Sequence, residues 1–194
     1  MTDRGLAAAA GHDLVDVVAA VVDAGARAVL LREKDLPRDA RAPLAERLQC
    51  LLAPVGGSLL VAGDAALAAE VGARGVHHGA EERAEPASNW LVGQSCHSVD
   101  ELRAAQASGV DYATFSPMWA TESKPGYGPA LGFAGLAVGC AAVPDLPVYA
   151  LGGVGPGRVE FCIEAGATGV AVMGGIMRAD DPAAAVRRLL RESP

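Results

Sequence analysis

One local pattern recurs along the chain. A stretch with apolar residues at helical spacing meets a glycine, and a short link then leads into a nearly continuous apolar run. The glycine is Gly25 before the run ending at Leu31, Gly72 before His78, Gly109 before Phe115 and Gly166 before Val172. The helical spacing is clearest at Leu14, Val17, Val18, Val21 and Val22, which share one face of a helix. A glycine after such a stretch stops the helix by taking a left-handed conformation. Apolar runs without alternation fit parallel strands covered on both faces.

Further strands are predicted over residues 59–62, 91–95 and 148–151, and further helices over 41–52, 65–71, 99–108, 133–141, 158–165 and 182–190. Strand and helix alternate throughout. The class is therefore α/β, either a (β/α)8 TIM barrel or a doubly wound sheet. The uneven spacing of the repeats favours one barrel over a solenoid, whose period would be fixed. A closed barrel needs one strand more than this count, before Thr2, so the first strand is expected to be very short or truncated by the start of the chain. No linker or shift of composition appears, and a single domain over 1–194 is expected.

Composition narrows the picture. A chain of 194 residues that is 51% hydrophobic, with 24 glycines and 4% aromatics, builds a packed core and is not a disordered segment. The net charge of −7 argues against nucleic acid and against an anionic membrane surface, so an anionic ligand would have to be met by local cations. The most apolar early stretch, 14–31, is interrupted by Asp16, Asp23 and Arg27 and does not suit a membrane span. Cys50, Cys96, Cys140 and Cys162 form no Cys-x-x-Cys pair, and no secretory signal is evident; reduced thiols in a cytoplasmic protein are expected.

The chemistry is expected at strand ends, because barrels gather their ligands there. Arg32, Glu33 and Lys34 directly follow the strand ending at Leu31. The loop after Phe115 carries Thr121, Ser123 and Lys124 among glycines, a mix suited to closing over an anion. Two later strands end in paired glycines, Gly152-Gly153 and Gly174-Gly175, whose backbone amides can wrap phosphate oxygens with help from a following short helix. His77 and His78 alternate to opposite sides of their strand, and no further metal ligands can be placed near them. His97 follows another strand and is a candidate proton carrier, or a cap for the next helix.

In these motifs the sequence resembles the thiamine phosphate synthase and TenI superfamily. The matching pieces are Thr2-Asp3-Arg4, LREK at 31–34, GVHHG at 75–79, GQSCHSVDEL at 93–102, SPMWATESKPGYGPALG at 116–132, LGGV at 151–154 and GVAVMGGI at 169–176. The resemblance implies a (β/α)8 barrel, commonly oligomeric, so a homo-oligomer is open. It implies a small-molecule thiazole phosphate ligand, with its phosphate at Gly152, Gly153, Gly174 and Gly175. In the synthase branch a pyrimidine pyrophosphate would lie near Arg32, Lys34, Thr121, Ser123 and Lys124, with Mg²⁺ bridging its oxygens.

Two departures bear on the branch. Synthases carry an Asn-Asp pair after the third strand, where this chain has Ala62 and Gly63, with Asp64 one residue on; a later aspartate is replaced by Glu82. TenI-like proteins lack these metal ligands and place a histidine at the position of Ser116. The expectation drawn is a TenI-like thiazole tautomerase without a metal, moving a proton by His97, with Lys34 or Glu33 as competitor. The alternatives are a thiamine phosphate synthase using Mg²⁺ on Asp64 and Glu82, and a non-catalytic regulator that binds thiazole phosphate.

Overall fold

The computed structural model describes residues 1–82, 84, 87, 89–120 and 129–192. They fall into two compact units, residues 1–77 with 173–190, and residues 78–172 with the C-terminal residues from 191.

The first unit begins with helix α1 (Arg4–Ala9) and helix α2 (Leu14–Asp23), followed by β1 (Ala28–Leu31), α3 (Arg38–Leu52), β2 (Ser58–Ala62), α4 (Ala65–Glu70) and β3 (Gly75–His78). Asp3, Asp13 and Asp64 cap α1, α2 and α4 by accepting backbone N–H groups of the first turn. The strands pair in parallel, with Val29 opposite Leu59, Leu31 opposite Val61 and Ala62 opposite His77. Val17, Val18, Val21 and Val22 of α2 are all buried, as their spacing predicts, along with Leu48 and Leu52 of α3 and Leu59 and Val61 of β2. The helix α3 begins three residues earlier than expected, at Arg38, because Pro37 supplies an extended N-cap and Pro43 is accommodated inside the helix.

The second unit holds β4 (Leu91–Cys96), α5 (Val99–Ser108), β5 (Tyr112–Phe115), α6 (Gly132–Ala142), β6 (Val148–Leu151), α7 (Val159–Glu164) and β7 (Gly169–Ala171). Its strands are again parallel, with Gly93 opposite Tyr112, Thr114 opposite Tyr149 and Tyr149 opposite Gly169. Tyr112 and Tyr149 meet edge to face with ring centroids 5.8 Å apart. The glycines beside them leave room for the rings: a Cβ on Gly169 would lie 3.0 Å from the Tyr149 ring, and one on Gly93 would overlap Tyr112. Phe115 is wholly buried, and Gly139 lets α6 seat directly on its ring. The chain then returns to the first unit with α8 (Gly174–Met177) and α9 (Pro182–Arg191).

The helix-stopping glycines behave as the pattern requires, with φ of 114° at Gly25, 66° at Gly72, 76° at Gly109 and 96° at Gly166. In the sheet the strands follow one another in chain order from β1 to β7, the winding of a singly wound α/β fold and not of a doubly wound one, whose order reverses. The expected closed eight-stranded barrel is not found, since seven strands are assigned among the described residues. In place of a strand before β1, the Thr2 N–H donates to the Leu30 carbonyl at 2.9 Å before Asp3 caps α1. Among the described residues no helix is long and apolar enough to cross a membrane.

Candidate active site

In the first unit the site is built around the end of β1. The Thr2 hydroxyl accepts the Arg32 N–H at 2.9 Å. The Arg4 N–H is shared between the two carboxylate oxygens of Glu33, at 3.1 and 3.2 Å, and the Arg4 guanidinium donates to the same carboxylate at 3.2 Å. That guanidinium also forks onto Asp35, Nη1 to Oδ1 at 2.9 Å and Nη2 to Oδ2 at 2.6 Å. Glu33 is only 2% exposed, so this charge is buried with its counter-ion in place. Arg4 holds the exposed Asp35 carboxyl below the usual carboxylate range, and the two carboxylates in turn push the Arg4 guanidinium upward. Arg32 and Lys34, on either side of Glu33, line a cleft of about 700 Å³ with Arg47, His12 and Asp13. His12 is held in the cleft wall by a 3.0 Å hydrogen bond from Nε2 to the Ala179 carbonyl.

In the second unit Gly152 and Gly153 follow β6 with φ of 97° and 68°. Their backbone is packed against the root of the loop that follows β5. The Met118 N–H donates to the Leu151 carbonyl at 2.9 Å and the Trp119 N–H to the Gly152 carbonyl at 3.0 Å. Arg158 donates to the Gly153 carbonyl at 2.6 Å while its guanidinium stacks 4.7 Å from the Trp119 ring centroid. A Cβ on Gly152 would lie 3.1 Å from the Pro117 Cα, and one on Gly153 would lie 2.8 Å from the Trp119 Cβ. The far end of the same loop returns to the same root, where the Leu131 and Gly132 N–H groups donate to the carbonyls of Pro117 and Met118, each at 2.9 Å. Thr121, Ser123 and Lys124, expected on this loop, lie outside the described residues.

His97 and Ser116, separated by 19 residues in sequence, meet at the ends of β4 and β5. His97 Nδ1 is 2.9 Å from the Ser116 carbonyl and 3.1 Å from its hydroxyl oxygen. A carbonyl only accepts, so Nδ1 carries the proton and donates toward both oxygens. The helix cap is Ser98 and not His97: its hydroxyl accepts the Glu101 N–H at 3.2 Å, while Glu101 reaches back to the His97 N–H at 2.7 Å. Burial pushes the neighbouring Cys96 thiol up to about 12, with Glu101 adding to the effect, so Cys96 is no nucleophile near neutral pH.

The acidic residues that a synthase reading assigns to Mg²⁺ are engaged elsewhere. Asp64 Oδ1 accepts the Leu67 N–H at 2.9 Å, and Oδ2 pairs with Arg41 at 2.7 Å. A carboxylate spent on a helix cap and a guanidinium does not suit a dication. Glu82 lies 3.4 Å from His78 Nδ1, and its carbonyl accepts from Gln94, which also donates to the Gly79 carbonyl. Among the described residues no group of three or more His, Cys, Asp or Glu side chains is placed to hold a metal. These residues do not fit Mg²⁺. Gly174 and Gly175 form the first turn of α8, and Gly174 has the Arg178 guanidinium against its backbone.

The structure thus groups Arg32, Glu33 and Lys34 in one place and His97 with Ser116 in another. Arg4, Asp35 and Arg158 were not anticipated. Arg4 stands in a matched motif, but nothing local signals a partner 29 or 31 residues away.

A family model described as thiamine monophosphate synthase matches residues 1–176. A putative thiamine-phosphate synthase of Geobacter sulfurreducens is 38% identical over 200 residues, covering 100% of this chain and 92% of that protein. The thiamine biosynthesis bifunctional protein ThiM/ThiE of Symbiobacterium thermophilum is 39% identical over 91% of this chain, which spans 38% of its length. The solved structure of a thiamine phosphate pyrophosphorylase from Pyrococcus furiosus superposes with a TM-score of 0.85 at 26% identity, covering 98% of this chain and 92% of that one. These findings overturn the tautomerase expectation, which gave the changes at Ala62, Gly63 and Glu82 more weight than the likeness along the rest of the chain. With its family model spanning β1 to β7 and an end-to-end relative at 38% identity, the chain belongs to the thiamine monophosphate synthase family.

Proposed function

We propose that the chain is a thiamine-phosphate synthase, a transferase that joins a pyrimidine pyrophosphate to a thiazole phosphate and releases pyrophosphate. The observation that carries this reading is the 38% identity to a putative synthase over the full chain; the pair of cations at the end of β1 beside an open cleft is consistent with it.

The reaction makes one bond and breaks one. The thiazole nitrogen supplies an electron pair to the pyrimidine methylene carbon, and the carbon–oxygen bond to pyrophosphate breaks with its pair going to the leaving group. Negative charge therefore develops on pyrophosphate, and stabilising it is the main demand on the protein. Arg32 and Lys34 are assigned to that charge. Backbone amides at Gly152 and Gly153 are assigned to the thiazole phosphate. Glu33 serves here as the anchor of Arg4 and not as a base. Asp64 and Glu82 take no part.

The test mixes purified protein with thiazole phosphate and pyrimidine pyrophosphate, with and without added Mg²⁺, and follows thiamine phosphate and pyrophosphate together. Equal amounts of both products are expected. Failure to form thiamine phosphate under either condition would overturn the proposal.

A further inference from the structure

The segment 2–4 runs alongside residues 30–35, and together they form a clasp around the two cations of the cleft. Thr2 bonds Leu30 and Arg32, and Arg4 bonds Glu33 and Asp35. Glu33 and Asp35 flank Lys34, so a single guanidinium pins the backbone on both sides of it. The Glu33 half is buried, whereas Asp35 is 65% exposed and Arg4 40% exposed. An exposed ion pair contributes little to folding. Yet this one is bidentate, the geometry that fixes orientation best. A fork that adds little stability but fixes the loop carrying Lys34 and the end of Arg32 has its effect on placement.

We propose that Arg4 and Asp35 are positioning residues for the pyrophosphate-binding cations, their fork setting the orientation of the Arg32–Lys34 segment over the cleft. This rests on the synthase reading, in which Arg32 and Lys34 receive pyrophosphate. Lys34 has four rotatable bonds, so its ammonium meets an anion at lowest entropic cost only when its backbone is already fixed. Without the fork, Glu33 still anchors one side of the lysine, and the other side is released.

The experiment compares wild type with Asp35→Asn, Asp35→Glu and Lys34→Ala. It measures steady-state kinetics in the pyrimidine pyrophosphate, calorimetric titration with inorganic pyrophosphate, and melting temperature. Asp35→Asn should raise KM about tenfold, with a much smaller change in kcat. It should weaken pyrophosphate binding by a similar factor, while the melting temperature stays within about 4 °C of wild type. Asp35→Glu, which keeps the charge, should recover most of the affinity. A simple fold defect would instead lower the melting temperature and would not be rescued. Wild-type affinity in Asp35→Asn alongside weakened binding in Lys34→Ala overturns the positioning role and leaves the synthase reading standing. Unchanged binding in Lys34→Ala, or no binding in wild type, overturns the assignment of the cations to pyrophosphate and the inference with it.

Discussion

The loop after β6 contains a graded series of glycines that separates backbone conformation from crowding. At Gly155 a Cβ meets nothing within 4 Å, and its φ lies outside the left-handed region. At Gly157 φ is +78° and the space is also open. At Gly153 φ is +68° and a Cβ would lie 2.8 Å from the Trp119 Cβ and 3.1 Å from the Ala120 carbonyl oxygen. Alanine at 155 loses nothing in the folded state and restricts the unfolded chain, a gain of about 0.4–1 kcal/mol. Alanine at 157 forces a side chain into the left-handed region, a cost of about 1–2 kcal/mol. Alanine at 153 bears that cost and overpacks against Trp119, about 1–3 kcal/mol more, giving about 2–5 kcal/mol together. For a chain of this size each kcal/mol moves the melting temperature by about 2–4 °C. Gly153→Ala should therefore melt roughly 10 °C below wild type, Gly157→Ala roughly 5 °C below and Gly155→Ala at or slightly above it. Differential scanning calorimetry with urea titration of each variant measures the series. If Gly153→Ala is no less stable than Gly157→Ala, the loop yields away from Trp119 and the argument that Gly153 is required by close packing is refuted.

Three other outcomes follow from the same geometry. Asp64→Ala removes a helix cap and leaves Arg41 without its carboxylate, so urea midpoints should report a loss of about 1–3 kcal/mol; no loss would mean that neither contact persists in solution. Of the thiols, Cys50 is exposed, while Cys96, Cys140 and Cys162 are pushed upward by burial. A chromogenic disulfide at pH 8 should therefore label Cys50 first in the native protein and reach all four cysteines only after unfolding. Asp35 is depressed in the folded state by Arg4, so its contribution to stability is present above the ordinary carboxylate value of about 4 and is lost as pH falls through the lowered folded value. Asp35→Asn should accordingly melt slightly below wild type near neutrality and converge on it as pH falls below about 4, flattening the acid limb, as read from melting temperatures across pH.

The sequence by itself determined what depends on neighbours in the chain. Each helix stop at Gly25, Gly72, Gly109 and Gly166 was legible because one residue's left-handed φ decides it. The strands at 148–151 and the helix at 99–108 matched their apolar patterns to the residue. The places where Arg32, Glu33 and Lys34 would stand, and the family, were legible for the same reason, since motif residues sit at fixed offsets from strand ends. Only the tertiary structure decided which side chains meet. The Arg4 fork joins residues 31 apart, and the cap that occupies Asp64 is completed by Arg41, 23 residues away. It also settled that Gly152 and Gly153 are glycines to admit Pro117 and Trp119, a closeness no local pattern encodes. Conformation is set by nearest neighbours, whereas charge pairing and close packing depend on what the fold brings alongside, and this chain's cleft is made of both.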